Sequence, residues 1–319
     1  FVLTMANILS LLLVTILVKD WLLRDLRLEP GNAVMIALAI FMAVLFYSVS
    51  GYPFMFSIER GNYDSLAIFF AILAIFLVIK KPESLWWQVI LLSIATHLKI
   101  YPGALFIVLL YKHGKKVILP LIIVNTMMLF SLGMKNLDSF MEIMVEYTLA
   151  PSVWSGNHSG FSFAAYLAKK VPLLQVFLGE MKVFFSALPV VIWVISSLYC
   201  IRKLSPEKCM LMLLMIATPL MCMLPTVSHD YKLVVLHPAL LILTGMLVYN
   251  IIHYCRLWDY VQLILVLVIS LFIGRSYVLM PSHLWWLTNK YPLLLLLSLL
   301  MLLNAITLSE TQELLGLTS

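Results

Sequence analysis

The chain has 319 residues, 63% of them hydrophobic and only 11% charged, with a formal net charge of +6 and a mean hydropathy of +1.04. Soluble domains hold about 45–50% apolar residues, so the composition excludes a soluble globular domain and points to a polytopic membrane protein. The positive balance does not indicate a nucleic-acid partner, because the cations sit mostly in short connections between apolar runs, where they report topology.

A bilayer core needs about 20 apolar residues per helix, fewer where flanking side chains snorkel. In chain order the expected spans are 1–18, 33–50, 66–79, 85–97, 101–111, 117–133, 183–201, 209–225, 233–252, 260–274 and 291–308. Phe1 already lies inside an apolar run, so further sequence is expected upstream. The fourth and fifth runs are too short to cross alone comfortably. They form either two short tilted helices meeting at "HLKIYP" or one helix broken at Pro102. The expected fold is an all-α polytopic bundle of about ten or eleven transmembrane helices, a single domain over 1–319. Residues 134–182 form an extracytoplasmic loop in which "DSFMEIMVEYTLAPSVW" and "FSFAAYLAKKVP" suit interfacial amphipathic helices.

If all eleven runs cross, the connections alternate between two faces. One face carries "KDWLLRDLRLEPGN", "KKPES", "KHGKK", "RKLSPEK" and "HYCRLWD", with twelve Lys and Arg in compact loops, and is expected to be cytoplasmic. The other nine Lys and Arg are spread over longer sequence that also holds the polar clusters. The active face is therefore expected to be extracytoplasmic. Cys200, Cys209, Cys222 and Cys255 lie in or beside apolar runs without metal-ligand spacing, and read as small buried hydrophobes.

Four clusters on that face could carry chemistry. In "ERGNYD", Asn62 and Asp64 suit a helix start, with Asp64 able to cap a helix beginning at Leu66. Glu59 and Arg60 stand beside a glycine that admits close backbone approach, and an arginine fork suits phosphate. "THLKIYP" sets His97 and Lys99 on one polar turn, where an intramembrane cation is a functional candidate and snorkelling is the alternative. "WSGNHSG" offers Asn157 and His158 in a glycine-bracketed loop that also forms an N-x-S sequon. "PTVSHDYK" places His229, Asp230, Tyr231 and Lys232 between two spans. His229 beside Asp230 could be a general base with its orienting carboxylate, although adjacent residues seldom point the same way. Cations, histidines and amides together suit an anionic ligand with hydroxyls, such as a sugar phosphate carried on a lipid. Too few carboxylates converge on one loop to predict a metal, and no cofactor is expected.

The segments "ERGNYDSLAIFFAILAIFLVIKK" and "ATHLKIYPGALFIVLLYKHGKK", with the later "GNHS" and "SHDYKLVVLHPALL", closely resemble the signature region of the glycosyltransferase family 87 membrane enzymes over roughly residues 40–250. The resemblance implies the GT-C fold and transfer of a hexose, most often mannose, from a polyprenyl-phosphate donor to a lipid or glycan acceptor, on the extracytoplasmic side of a bacterial cytoplasmic membrane. It also implies a catalytic aspartate in a first extracytoplasmic loop, which this topology places upstream of Phe1. On this reading Glu59 and Asp64 shape a loop and bind acceptor hydroxyls, while Arg60 and Lys99 hold the donor phosphate. Transfer proceeds by direct displacement with inversion. The rival reading is a transporter or flippase of a lipid-linked sugar. Such proteins commonly show internal repeats and a midplane site, and the one-sided clusters favour the enzyme.

Overall fold

The computed structural model describes residues 1–26, 29–131, 133–149, 153–154, 156–276 and 288–314. Among these, fourteen α-helices and no strand occur. They are α1 (Val2–Leu26), α2 (Pro30–Ser50), α3 (Tyr52–Glu59), α4 (Asp64–Lys80), α5 (Leu85–Leu98), α6 (Phe106–His113), α7 (Ile118–Ser131), α8 (Met134–Leu149), α9 (Gly160–Lys170), α10 (Leu178–Lys203), α11 (Pro206–Met223), α12 (His237–Tyr254), α13 (Leu257–Ile273) and α14 (Tyr291–Leu314).

Among the described residues, six helical stretches are long and apolar enough to cross a membrane, or up to eight if each of two bent helix pairs is one span. The eleven expected runs do not all qualify, and the reason is length. At about 1.5 Å per residue, the 14 residues of α5 reach about 21 Å against a hydrocarbon core of about 30 Å. Three further boundaries differ from the sequence reading. Helix α1 continues to Leu26, because Asp20 is paired with Lys19 and Lys80, and Arg24 with Glu207, so these charges are accommodated on a helix. A short helix, α3, precedes "RGN" and meets α4 at a 111° bend, with Gly61 at φ +58 making the turn. The "KIYP" break is resolved as two short helices. Pro102 sits in the first turn of a 3-10 segment, Tyr101–Leu105, and His113 Nε2 lies 2.7 Å from Gln88 Oε1, so α6 doubles back along α5.

The core centres on α11 and α12. Every side chain of α11 from Lys208 to Met223 is buried, against α10, α12 and α14. Its methionines fill irregular gaps between these neighbours without demanding one rotamer. Helix α4 buries Ala67, Ala71 and Ala74 on a repeating face with Ile68, Ile72 and Ile75. Small residues let backbones approach, and α1 and α5 flank it. A buried polar contact ties three helices: Asn7 Nδ2 donates to Ser48 Oγ at 2.8 Å, and Ser48 Oγ lies 2.7 Å from His237 Nδ1.

The connections sort to two ends of the bundle. Residues near 20–24, 80–88, 113 and 207 meet at one end through the pairs Lys80–Asp20, Arg24–Glu207 and Gln88–His113. Residues near 56–64, 99–101, 154–160, 226–232, 273–275 and 289–291 meet at the other. Helices α8 and α9 belong to the 134–182 segment, and each is amphipathic.

Helices α1 and α12 meet at Gly245, where a Cβ would stand 2.7 Å from Val18 Cγ1. An alanine in a helix is favoured over glycine by about 1 kcal/mol, but overpacking costs about 1–3 kcal/mol. Gly245→Ala is expected to lower the thermal midpoint of the detergent-solubilised protein, and a second change, Val18→Ala, to recover part of the loss. A midpoint raised by Gly245→Ala alone would show that the two helices do not meet as described.

Candidate functional site

The polar end holds two adjoining clusters, and the first is built on Asp64. Its carboxylate does not cap a helix as the sequence suggested. Helix α4 starts at Asp64 itself, and no side-chain cap bond is made there. The carboxylate is instead fully buried and accepts a hydrogen bond from the Tyr101 hydroxyl at Oδ1. Oδ2 makes no hydrogen bond among the described residues and lies 3.8 Å from Lys99 Nζ, an ion pair too long for a hydrogen bond. Lys99 ends α5 in an extended conformation and keeps 29% of its side chain exposed. Lys232 approaches from the loop before α12. Its Nζ donates to Val227 O at 2.6 Å and stands 5.4 Å from the Tyr101 ring centroid, close enough to feel the charges of Asp64 and Lys99. Lys99 is thus ion-paired with the one carboxylate, and Lys232 lies within electrostatic reach of both.

The loop before α4 adds one more acceptor. Asn62 N–H donates to Ser57 O at 2.9 Å, while its side-chain Oδ1 is buried without a hydrogen-bond partner among the described residues. The neighbouring Glu59 and Arg60 are exposed. Arg60 lays its guanidinium 5.1 Å from the Phe56 ring centroid, so it does not join Lys99 as the sequence reading had it. His97 also diverges from Lys99. A helix turns each residue by about 100°, so His97 faces α7 and pairs with Asn125 Oδ1 at 3.2 Å, outside the cluster.

The second cluster is a buried clamp. Asp230 Oδ1 accepts from Lys290 Nζ at 2.7 Å and from His158 Nε2 at 2.8 Å, all three side chains having no exposed surface. The backbone N–H of Lys290 donates to His158 Nδ1 at 3.1 Å, which leaves Nε2 to carry the proton that Asp230 receives. Burial holds the His158 imidazole below its ordinary value, against the pull of the Asp230 charge. Lys290 spends its remaining donors on Ile273 O at 2.7 Å and Arg275 O at 2.5 Å. Asp230 thus pairs with His158 and Lys290 rather than with its neighbour His229. His229 is half-buried, 5.0 Å from the Trp154 ring and 5.5 Å from Tyr231, with Tyr231 in turn 5.7 Å from Phe56.

Asn157 closes the clamp from the side. Its Oδ1 accepts from Ser159 N at 3.2 Å and Ser228 N at 2.8 Å, its Nδ2 donates to Thr226 O at 2.9 Å, and its own carbonyl accepts from Asn289 Nδ2 at 2.7 Å. The amide that a sequon would offer for glycosylation is therefore buried and bonded. Gly160 explains the second glycine of "GNHSG": a Cβ there would stand 2.1 Å from Phe185 O, a backbone atom that cannot turn aside. This close approach seats α9 on α10.

The sequence reading missed Tyr101, Asn289 and Lys290. Tyr101 lay inside the quoted "LKIYP" but carried no charge to single it out. Asn289 and Lys290 are a polar pair set directly before the apolar run of α14, the same signal that drew attention to Lys99. Among the described residues, no group of three or more His, Cys, Asp or Glu could hold a metal ion. Cys200, Cys209 and Cys222 are buried as expected of small hydrophobes, whereas Cys255 is exposed where α12 ends, at φ +46.

Removing one partner of a buried ion pair leaves the other charge uncompensated, at about 3–5 kcal/mol. Asp230→Asn and Lys290→Met are each expected to cost about that much, and the double variant less than the sum. Equal and additive losses in detergent unfolding would show that the two groups do not interact. The same cluster sets a pH dependence. His158 and His229 are both held below the ordinary value, chiefly by burial, so below about pH 6.5 the unfolded chain takes up protons that the folded chain refuses. Stability is expected to be full above that pH and to fall as pH drops through it, read as a declining thermal midpoint between pH 7 and 5.

Comparison of the chain with models of known families, with curated proteins and with solved structures found no match.

Proposed function

We propose that this chain is a membrane glycosyltransferase of the GT-C type, similar to family 87. It would move a hexose, mannose by that resemblance, from a polyprenyl-phosphate donor to a lipid or glycan acceptor at the extracytoplasmic face. The observation that carries the reading is the Asp64 cluster: two ammonium groups, Lys99 and Lys232, against one carboxylate, with Lys99 part-exposed. That balance leaves one positive charge over at the end of an apolar bundle. An uncompensated cation there would favour an anion, and a phosphate on a lipid suits that position.

Two further features suit a sugar beside the phosphate. Asn62 Oδ1 and Asp64 Oδ2 are buried acceptors without hydrogen bonds among the described residues, and sugar hydroxyls are donors. Ile58, Tyr63 and Ile100 flank the cluster in sequence and expose apolar surface, which suits the isoprenoid tail. In this reading Lys99 and Lys232 hold the phosphate and take up the charge that grows on it as the anomeric C–O bond breaks. The acceptor hydroxyl attacks from the opposite side, giving inversion, and its proton passes to a base. Asp64 is a poor choice for that base. It already receives the Tyr101 hydrogen bond and faces an ammonium, so it fits better as the group that orients Lys99 and binds hydroxyls. Arg60, turned onto Phe56, has no part in holding the donor.

The test is transfer from radiolabelled polyprenyl-phosphate sugars by membranes containing the protein, compared at equal amounts of folded chain. A charge-assisted contact is worth about 1.5–3 kcal/mol, so Lys99→Met is expected to lower donor use about 10- to 100-fold. Lys99→Arg is expected to recover only part of that loss, because the guanidinium is larger and placed differently. Lys116→Met, in the basic turn at the other end of the bundle, is expected to leave turnover nearly unchanged. Parental turnover by Lys99→Met would make Lys99 a snorkelling anchor and remove the donor-phosphate assignment.

A further inference from the structure

Three helices bury polar side chains that no contact accounts for. Asn250 on α12, Asp259 and Gln262 on α13, and Asn304 on α14 have no exposed surface. Neither carboxylate oxygen of Asp259, nor any oxygen or nitrogen of the three amide side chains, makes a hydrogen bond among the described residues. Buried polar groups are nearly always bonded, so four failures on three helices that touch one another need a cause. The four lie at one depth. Helices α12 and α14 both run away from the polar end, and Asn250 and Asn304 each stand thirteen residues past the first residue of their helix. Helix α13 runs back to end at Ile273, whose carbonyl meets Lys290 at the polar end, and Asp259 and Gln262 stand near its start. At about 1.5 Å per residue, all four are about 20 Å from the polar end. Their helix faces also converge. Asn250 is five residues from Gly245, which faces α1, and at about 100° per residue it is turned away from that contact. Tyr291 and Ser309, five full turns apart on α14, both bond to α10, and Asn304 is turned about 140° from that face. Asp259 and Gln262 open the buried face of α13, which continues through Val266, Ile269 and Ile273, while Tyr260, Ile264 and Leu267 lie exposed. Asn250 is near enough to Asp259 to interact with it, although not placed for a hydrogen bond.

The charge decides what such a cluster is for. Turning the amides would bring N–H groups onto the Asp259 carboxylate but leave its negative charge unanswered inside the bundle. Arg256 is close enough for its charge to be felt, yet it forms no ion pair with Asp259 and lies over the Tyr254 ring instead, 4.8 Å from the centroid. A proton would answer the charge but satisfy a single oxygen. Asp259 supplies two unbonded oxygens, and Asn250, Gln262 and Asn304 supply one each. Donor sets made only of oxygen suit hard cations. One carboxylate balances one positive charge, whereas a divalent ion would leave a charge over in the interior, where charges are costly. We infer that Asp259, Asn250, Gln262 and Asn304 form a binding site for a monovalent alkali cation, neutralised by the carboxylate and surrounded by the three amide oxygens. The site is separate from the Asp64 cluster, because it lies about 20 Å from the polar end, and the inference does not rest on the proposed activity.

The experiment is a comparison of salts on the purified full chain in neutral detergent, at constant ionic strength. Choline chloride is replaced stepwise by sodium or potassium chloride. The thermal midpoint is read together with retention of radioactive sodium, or of rubidium standing for potassium. A cation that binds only the folded chain raises the midpoint as its concentration passes the dissociation constant. The parent chain is expected to show that rise with an alkali ion and to retain the matching tracer. Asp259→Asn keeps the shape and removes the charge. It is expected to melt no lower than the parent in choline, and to lose both the midpoint response and the tracer. Gln262→Met keeps the carboxylate and is expected to raise the cation concentration required by about tenfold, the size of loss usual when a metal site is weakened. Lys115→Gln, in the basic turn before α7, is expected to leave the response intact. A parent midpoint identical in all three salts, without tracer retention, would overturn the inference and make Asp259 a neutral acid held by a proton. A response to magnesium as large as that to either alkali ion would also overturn it, as would a response that survives Asp259→Asn. Should Asp259→Asn not fold, tracer retention by the parent and its weakening in Gln262→Met decide the matter.

Discussion

Asp230 is a carboxylate with no exposed surface, and the polar end of the bundle is organised by its charge. An ionised carboxylate cannot leave water without partners at a cost of several kcal/mol, and its partners come from distant sequence: His158 on the loop before α9 and Lys290 on the segment before α14. Lys290 extends the link to the end of α13 through two carbonyls. One buried charge thus holds four stretches of chain in fixed relation. Two residues after Asp230 comes Lys232, whose ammonium must reach the Asp64 cluster. The clamp therefore sets the position of one of the two cations on which the proposed phosphate site depends.

The opposite end of the bundle is built differently, and the contrast follows from solvent access. Arg24 and Glu207 pair with about half of each side chain exposed, and such surface pairs contribute about 0–1 kcal/mol. They let α1 carry charge past the apolar segment but do not fix geometry as the buried clamp does. The fully buried ion pairs thus gather at one end of the bundle. Lys99 is the exception there, part-exposed and held by a contact longer than a hydrogen bond.

Helix and apolar content were legible from hydropathy, because a bilayer-length apolar run has few other structural outcomes. The alternation of loops also foreshadowed which segments would meet, since "ERGNYD", "LKIYP", "GNHS" and "SHDYK" do gather at one end. What hydropathy could not show was partner choice within that end. Asp64 looked like a helix cap because it stands where a cap would stand, and only tertiary contact with Tyr101 displaces that role. His97 and Lys99 looked like companions because they are two apart, yet a helical turn sends His97 to Asn125. Lys290 was invisible as a partner of Asp230 because 60 residues of sequence separate them. Span length failed for a simpler reason. A run such as 85–97 is apolar whether or not it crosses, so composition does not measure crossing.

In the proposed phosphate site of Lys99, Lys232 and Asp64, the carboxylate offsets part of the cationic charge. The most direct measurement is the affinity of the purified chain for a short-chain polyprenyl phosphate that carries no sugar, comparing the parent with Asp64→Asn. The substitution removes the negative charge facing Lys99 and keeps a group of the same shape. Asp64→Asn is expected to bind the bare lipid phosphate about tenfold more tightly, the size of one charge interaction of about 1.4 kcal/mol. Unchanged or weaker binding by Asp64→Asn, in a protein that unfolds at the parental temperature, would contradict it.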